Sequence, residues 1–169
     1  MRAGVALGSN LGDRLGNLSA ARDAISKIPG VRPPLIGSPI YETEPVGCEP
    51  GAAEFLNAVV EFSYTGQPLQ LFDELRQVEV KLGRPAQHAR NVSRPIDIDL
   101  LYFGNASLIT DRLTLPHPRM QDRRFVLQPL ADIQPDRVLP RQTKTVRELL
   151  ASAPQTGKVL RSTVQWEAR

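Results

Sequence analysis

The segment from Arg94 to Phe103 alternates between apolar and acidic residues, and this alternation constrains the fold more than any other feature of the chain. The apolar positions share one parity and the acidic positions share the other: Ile96, Ile98, Leu100 and Tyr102 against Asp97 and Asp99. A period of two is typical of a half-buried β-strand. Both carboxylates are therefore predicted to point the same way. Further along the strand, the face that carries the two acids becomes apolar at Leu101 and Phe103. We therefore expect the acids at the open, N-terminal end of the strand and the apolar part in the core.

The two carboxylates suggest a metal site. Residues two apart on a strand lie about 7 Å apart at Cα, so two ionised carboxylates there repel each other and one pKa rises unless a cation is present. Mg²⁺ suits such a site, because it prefers oxygen ligands and completes its shell with waters and phosphates. Asp97 and Asp99 are therefore candidate Mg²⁺ ligands. The alternative is a solvated strand face, since Asp-x-Asp alone is weakly specific.

Basic residues on both sides of the acid pair favour the metal site. The first group precedes the strand and the second follows it: Arg84, His88, Arg90 and Arg94, then Arg112, Arg119, Arg123 and Arg124. Cations beside paired acids are expected where a polyanion is bound between them. Residues 84–95 contain almost no large apolar side chain, so we expect this loop to be mobile until an anion orders it.

Length and composition bound the class of protein. With 169 residues, the chain is predicted to form a single domain spanning residues 1–169. The net charge of +3 and the pI near 9.3 favour an anionic ligand without requiring nucleic acid. One cysteine, Cys48, excludes an intrachain disulfide, and with two histidines it is too little for a zinc site. Because no apolar run approaches the ~18 residues of a membrane span, we expect a soluble, cytoplasmic protein.

Hydrophobic spacing predicts an alternation of strands and helices. The predicted strands are 5–7, 35–42, 55–62, 96–103 and an edge strand within 159–164, and the predicted helices are 15–28, 68–82, 125–133 and 146–150. The glycine-rich turn 8–12 precedes the first helix, with Ser9 or Asn10 as its predicted cap. Residues 43–51 form a loop long enough to cover a site.

Three polar residues leave alternatives open on spacing alone. Asn57 shares a strand face with Phe55 and either serves a neighbouring backbone group or reads the edge of a heterocycle. Glu79 lies toward the end of its helix, where the dipole disfavours an acid, so it either has a specific partner or is solvated. His117 lies between Pro116 and Pro118, and either has a structural role or contacts phosphate.

The motifs together resemble the 6-hydroxymethyl-7,8-dihydropterin pyrophosphokinase family of folate biosynthesis. The resemblance follows the chain in order through Gly8-Ser9-Asn10-Leu11, Tyr41-x-Thr43, Phe55-Leu56-Asn57-Ala58, Gly83-Arg84, Arg94-Pro95-Ile96-Asp97-Ile98-Asp99, Pro116-His117 and Arg123-x-Phe125-x-x-x-Pro129-Leu130. It implies an α+β fold with a ferredoxin-like core, in which helices pack on a largely antiparallel sheet. It also implies ATP as co-substrate, two Mg²⁺ ions, and pyrophosphoryl transfer to the hydroxymethyl group of the pterin, with release of AMP.

The resemblance assigns roles to residues one by one. It implies catalytic roles for Arg84, Arg94, Asp97 and Asp99, with the two aspartates also as metal ligands. The implied ATP-binding residues are Glu79, Arg84, Arg90, Arg94, Arg112, Thr114, His117 and Arg123, and the implied pterin-binding residues are Thr43, Pro45, Val46, Phe55, Asn57 and Phe125. The expected partners are small molecules, without nucleic acid or membrane, and the expected state is a monomer.

The chain departs from some members of the family, and two other classes of protein compete with this interpretation. Asn91 stands where some members stack an aromatic residue, and Ala86 where some carry a cation; Phe55 and Pro118 each stand where some have tyrosine. A ferredoxin-like RNA-binding module is the main alternative, although 5% aromatic content argues against recognition by stacking. A metal-dependent phosphohydrolase using the same acid pair is the other.

Overall fold

A computed structural model describes residues 1–85 and 93–166 of the chain. The strands are β1 (Arg2–Ser9), β2 (Val31–Gly37), β3 (Tyr41–Thr43), β4 (Phe55–Tyr64), β5 (Asp97–Phe103), β6 (Leu108–Ile109), β7 (Thr114–Leu115) and β8 (Val159–Arg161). The α-helices are α1 (Arg14–Ser26), α2 (Pro68–Lys81), α3 (Arg124–Ile133) and α4 (Val146–Ser152), and a 3-10 helix covers Met120–Asp122. Each predicted strand and helix has a counterpart in the observed order, except that the predicted strand 35–42 is divided between β2 and β3, and β6 and β7 are additional.

The main sheet has six strands, and all of its pairings are antiparallel. Its order is β5-β1-β4-β3-β8, with β2 also paired to β4. Two βαβ halves, β1-α1-β2 and β4-α2-β5, interleave so that β1 and β4 lie in the centre. This is the ferredoxin-like arrangement, and the predicted α+β fold class is confirmed.

Helices cover both faces of the sheet. On one face, α1 and α2 bury their apolar sides against β1, β4 and β5, with Leu18, Ile25, Leu71 and Leu75 among the buried residues. On the other face, α3 and α4 form a second, smaller core around Val126, Leu127, Leu130 and Val146. Among the described residues, no helix is both long and apolar enough to cross a bilayer.

Strand register gathers several strand ends at one edge of the sheet. Gly8 near the end of β1 pairs with Asp97 at the start of β5, and also with Asn57 near the start of β4. Thr43, the last residue of β3, pairs with Phe55. Residues that are distant in sequence therefore meet at this edge, and both predicted acids lie on it.

A β-bulge in β5 changes part of the predicted alternation. Val5 pairs with Leu100 and Gly4 with Tyr102, so Leu101 is the extra residue. Asp97 and Asp99 precede the bulge, and their shared face is confirmed. Beyond it the prediction is wrong: Tyr102 packs in the core beneath α3, and Phe103 packs in the core beneath α1 and α2.

The second predicted strand, 35–42, is instead two strands separated by residues 38–40. Ser38 Oγ accepts a hydrogen bond from Val59 N at 2.9 Å. The next residue, Pro39, has no backbone N–H to offer the ladder. A side chain therefore replaces part of the strand pairing, and the chain resumes at Tyr41 as β3.

The predicted cap of the first helix is also wrong. Asp13, not Ser9 or Asn10, caps α1, because its Oδ1 accepts a hydrogen bond from Gly16 N at 2.9 Å. By contrast, the predicted start of α2 at Pro68 is confirmed, and so is its stop at Gly83, which has a φ of +93°.

Candidate active site

A cavity of about 520 Å³ opens at the edge of the sheet where these strand ends meet. One part of its wall is charged and is built from Arg76, Arg84, Arg94, Asp97, Asp99, Arg119 and Arg123. Another part is aromatic and polar and includes Thr43, Val46, Phe55, Asn57 and Phe125. The volume suits a small ligand, and the composition of the wall suits one that is anionic at one end and flat at the other.

Arginines surround the acid pair in the charged part. Arg84 Nη1 donates to Asp97 Oδ1, and Arg94 Nη2 lies 3.3 Å from Asp97 Oδ2. Arg123 Nη1 lies 3.8 Å from Asp99 Oδ2. Asp97 is therefore closely paired, whereas Asp99 has a longer contact with a single arginine.

The two carboxylates differ in how well their charges are compensated. Burial and the neighbouring charge of Asp97 raise the pKa of Asp99 to about 6, although Arg123 opposes the shift. A cation at this position would stabilise the ionised form of Asp99. Residues 1–85 and 93–166 contain no group of three or more His, Cys, Asp or Glu suited to hold a metal, at this site or elsewhere, so the acid pair offers two carboxylates and no third ligand of these types. The donor set therefore fits a hard divalent cation that also uses ligands from a bound phosphate.

Glu79 binds the Arg84 guanidinium from within the protein core. Its Oε1 accepts hydrogen bonds from Arg84 Nη1 at 2.5 Å and from Ile98 N at 2.7 Å, and its Oε2 accepts from Arg76 Nη1 at 2.7 Å. The side chain is 2% exposed. Burial raises the pKa of Glu79, while the two arginines and the backbone N–H oppose that shift.

Of the two alternatives for Glu79, the structure shows the specific partner and not a solvated side chain, and the partner lies inside the protein. Glu79 does not line the cavity, whereas Arg76 and Arg84 do. Its predicted contact with ATP stays a prediction. In this geometry the Glu79 carboxylate orients an arginine that lines the cavity.

Two phenylalanines and an amide form the flat part of the cavity. Arg94 lies over the Phe55 ring at 5.4 Å from its centroid, and Arg123 lies over Phe125 at 5.6 Å. Asn57 is 8% exposed, and its Nδ2 donates to Thr43 Oγ1 at 2.6 Å.

Asn57 is held in place by close packing as well as by its hydrogen bond. A Cβ added at Gly8 would lie 2.7 Å from Asn57 Oδ1, so only glycine leaves room for this amide. The side chain lines the cavity. The structure shows Asn57 bonded to the Thr43 side chain, not to the neighbouring backbone group that was one of the two alternatives. The other alternative, recognition of a ligand, stays a prediction.

Of the predicted nucleotide residues after β5, Arg123 lines the cavity and the other three do not. Arg112, Thr114 and His117 are not among the residues that line it. Arg112 instead forms an exposed ion pair with Asp73, which links the β6–β7 hairpin to α2. Pro45 is not part of the wall either, although Val46 is. Arg90 and His88, with the departures at Ala86 and Asn91, lie in residues 86–92, outside the described residues.

His117 is a neutral hydrogen-bond donor. Its Nδ1 accepts from Arg119 N at 3.2 Å, so the ring proton belongs on Nε2. Burial and the charges of Arg123 and Arg119 lower the pKa of His117 to about 4. Its backbone N–H donates to Leu101 O at 2.8 Å, which fixes the residue against β5.

The sequence alone did not identify Asn10 as a residue that organises the site. It is 3% exposed, and its Oδ1 accepts from Arg94 N at 2.9 Å. Its Nδ2 donates to Ala53 O at 3.1 Å and to Ser93 Oγ at 3.2 Å. One side chain thus joins the loop before β4 to the loop before β5. No local signal predicts this role, because all three partners are distant in sequence.

Arg76 was also missed as a wall residue. It lies three residues before Glu79 on α2, and this spacing places the two side chains on one helix face. That spacing was visible in the sequence. A stronger weight on it would have identified the Arg76–Glu79 pair.

The fold and the cavity define a class of protein: a ferredoxin-like α+β protein that presents an acid pair among arginines beside an aromatic slot. The model of the 7,8-dihydro-6-hydroxymethylpterin-pyrophosphokinase (HPPK) family matches residues 4–135. The chain belongs to this family, and the family resemblance predicted from its motifs is confirmed.

Bacterial relatives support the same assignment. The chain is 40% identical over 156 residues to the 2-amino-4-hydroxy-6-hydroxymethyldihydropteridine pyrophosphokinase of Pseudomonas aeruginosa, covering 92% of this chain and 94% of the relative. It is 42% identical over 129 residues to the protein of the same name from Bacillus subtilis, covering 76% of this chain and 75% of the relative.

Solved structures show the same fold at low sequence identity. Wild-type HPPK-DHPS of Plasmodium falciparum, crystallised with pterin and p-hydroxybenzoate, superposes with a TM-score of 0.68 at 18% identity. The match covers 89% of this chain, which spans 42% of the length of that chain. The comparisons do not support the alternative of an RNA-binding module.

Proposed function

We propose that this protein transfers the pyrophosphoryl group of ATP to the hydroxymethyl group of 6-hydroxymethyl-7,8-dihydropterin and releases AMP, a step of folate biosynthesis. The observation that carries the proposal is the placement of Asp97 and Asp99, ringed by arginines, in the same cavity as Phe55, Asn57 and Phe125. Membership of the HPPK family agrees with it.

Two Mg²⁺ ions would be held by Asp97 and Asp99 together with phosphate oxygens. Bound Mg²⁺ would polarise the phosphates and neutralise charge that develops during transfer. ATP at about −4 and two carboxylates at about −2 meet about +4 from two such ions, which leaves about −2 for protein cations to neutralise. Arg84, Arg94 and Arg123, which line the cavity, would supply that positive charge.

The transfer breaks the bond between the β-phosphorus and the oxygen that bridges it to the α-phosphate. The pterin hydroxymethyl oxygen attacks the β-phosphorus and loses its proton, and AMP leaves with the bridging oxygen. Negative charge grows on that oxygen in the transition state. Arg84, fixed by Glu79 and Asp97, and Arg94, whose guanidinium lies beside Asp97, supply preorganised positive charge against it.

The flat part of the cavity would hold the pterin. Phe55 and Phe125 offer ring faces, and Asn57 offers an amide that can pair with the donor and acceptor edge of the heterocycle. Thr43, Pro45 and Val46 would complete the pocket. The nucleotide would extend toward Arg112, Thr114 and the Nε2–H of His117, with Arg90 as a further proposed contact.

The monomeric state and the cytoplasmic location are parts of the same proposal. Sedimentation analysis at micromolar concentration tests the first. Fractionation of cells that express the chain tests the second.

One assay tests the reaction itself. Incubation of the chain with ATP, Mg²⁺ and hydroxymethyl-dihydropterin should yield AMP and the pterin diphosphate in equal amounts. Omission of either the pterin or the Mg²⁺ should abolish AMP formation, because the hydroxyl is the acceptor and the cations neutralise the phosphates. Release of inorganic phosphate without pterin would instead indicate a phosphohydrolase, and salt-sensitive retention of RNA without AMP formation would indicate a nucleic-acid module.

Asn57→Ala should weaken pterin binding by at least roughly tenfold, because an amide that pairs with a buried polar edge contributes on this scale. Titration followed by intrinsic pterin fluorescence measures the affinity directly. Asn105→Ala, in the exposed turn after β5, is the matched control and should leave the affinity unchanged. An unchanged affinity in Asn57→Ala would exclude Asn57 from the pterin contacts.

A further inference from the structure

Arg119 differs from the other arginines of the cavity wall in its ion pairing. Four of them contact carboxylates at the distances given above: Arg76, Arg84, Arg94 and Arg123. Within residues 1–85 and 93–166, Arg119 has no ion pair with any carboxylate. An anion can therefore bind Arg119 without displacing an existing partner.

The backbone of Arg119 is fixed although its side chain is exposed. Its N–H donates to His117 Nδ1 at 3.2 Å, and its carbonyl accepts from Asp122 N at 3.3 Å, at the start of the 3-10 helix Met120–Asp122. These contacts hold the base of the side chain at the cavity. The guanidinium is thus presented from an anchored position, which limits the backbone ordering that binding an anion requires.

The charge of Arg119 acts on the residues that surround the acid pair. Burial is the largest cause that lowers the pKa of Arg123, and the positive charge of Arg119 is the next. The same charge contributes to the low pKa of His117. Arg119 and Arg123 therefore create a zone of positive potential beside Asp99 and around the neutral His117 ring, and a bound anion would reduce the repulsion between the two arginines.

Depth in the cavity indicates which part of the nucleotide Arg119 meets. Arg84 is 7% exposed and Arg94 16% exposed in their side chains, and both contact Asp97. Arg119 belongs to the exposed class and pairs with neither aspartate. If the acid pair holds the inner phosphates, the mouth of the cavity is where the outermost phosphate lies.

We infer that Arg119 binds the terminal phosphate of the nucleotide and positions the diphosphate group for transfer. This inference rests on the proposed function and adds to it a residue that its site assignments do not include. The side chain would neutralise part of the charge that remains after Mg²⁺ and the paired arginines are counted. It would act on the group that leaves with the pterin, and not on the adenosine or the α-phosphate.

The test compares binding of two nucleotides in the presence of Mg²⁺. One is an ATP analogue whose α–β bridging oxygen is replaced by a methylene group, which cannot be cleaved there, and the other is AMP. In Arg119→Gln, calorimetry should show roughly tenfold weaker binding of the analogue, as expected for one lost charge-assisted contact. AMP affinity should not change, because AMP lacks the outer phosphates. Arg119→Lys should recover part of the loss.

Arg124→Gln is the matched control. Arg124 carries the same charge five residues further along, but its Nη1 donates to Leu150 O at 3.1 Å, and it does not line the cavity. This variant should bind the analogue like the wild type. Equal weakening in Arg119→Gln and Arg124→Gln, or equal weakening for the analogue and AMP, would overturn the inference.

The kinetic arm separates this inference from the proposed function. In Arg119→Gln, the KM for ATP should rise roughly tenfold, while the KM for the pterin stays the same. If the variant forms AMP at the wild-type rate with an unchanged KM for ATP, Arg119 does not bind the terminal phosphate, and the proposed function is unaffected. If the wild-type protein forms no AMP in the presence of the pterin, the proposed function itself is contradicted.

Discussion

Alanine at Asp97 or at Asp99 is expected to lower AMP formation by about 10³-fold or more while the protein stays folded. Each substitution removes a carboxylate from the proposed metal site, and such a metal stabilises the charge of the transferring group. The fold should survive, because both side chains face the cavity and are 25% and 35% exposed. Single-turnover AMP formation at saturating ATP and Mg²⁺ measures the effect.

Asp97→Ala and Asp99→Ala should both lose activity, but they should change the melting temperature in opposite directions. Asp97 is paired with Arg84 and Arg94, so Asp97→Ala should lower the melting temperature. The pKa of Asp99 is raised to about 6 by burial and by the charge of Asp97. The folded state therefore binds this proton more tightly than the unfolded state does, and stability contributed by the protonated form is lost as pH rises toward 6.

Asp99→Ala should consequently melt at or above the wild-type temperature at pH 8 in a chelator, and this advantage should shrink at pH 5. Asp136→Ala is the control for both measurements, because Asp136 is paired with Arg147 at the exposed surface. Wild-type AMP formation in either cavity variant would contradict the metal assignment. Loss of activity together with loss of the folded state in Asp99→Ala would contradict the geometry described for that side chain.

Glu79→Ala is expected to lower the free energy of unfolding by about 3–5 kcal/mol, the range measured when one partner of a buried ion pair is removed. Glu79 is 2% exposed, and its loss would leave Arg84 and Ile98 N without an acceptor that both use. Urea denaturation followed by circular dichroism measures the change. Glu74 lies on the same helix and has no such bond to any of residues 1–85 and 93–166, so Glu74→Ala should change the free energy of unfolding by less than about 0.5 kcal/mol.

The conservative variant Glu79→Gln separates support of Arg84 from general stability. The amide keeps the shape of the side chain and one acceptor oxygen, so the protein should fold, but it removes the charge that holds Arg84. We expect kcat to fall while pterin affinity is retained. A normal kcat in folded Glu79→Gln would mean that Arg84 needs no support from this carboxylate.

Local pattern predicted those parts of the fold and the site that depend on neighbours in sequence. The period of two at Ile96–Asp99 was enough to place both acids on one face. Pro68 and Gly83 marked the ends of α2 because each acts through its own backbone. The family resemblance also pointed to Phe55, Asn57 and Phe125, which the structure brings together in one cavity wall, whereas spacing alone did not connect them; their contact with pterin stays a prediction.

The parts that were missed depend on contacts across the fold. The bulge at Leu101 arises where β5 is paired with β1, and there a Cβ at Gly4 would lie 2.2 Å from Tyr102 Cε1. The tyrosine therefore occupies space that only glycine leaves open, and no period within β5 records it. The role of Asn10 is similarly invisible, because its partners lie more than 40 residues away.

Arg94 and Arg123 each contact both parts of the cavity. Arg94 pairs with Asp97 and covers Phe55, and Arg123 lies near Asp99 and covers Phe125. Substitutions made on opposite sides of the cavity therefore share a partner, and their free-energy effects should not add. A double-mutant cycle between Phe125 and Asp99 would measure this coupling through Arg123. If the two single substitutions were measured alone, the interaction with Arg123 would be counted in both free-energy changes.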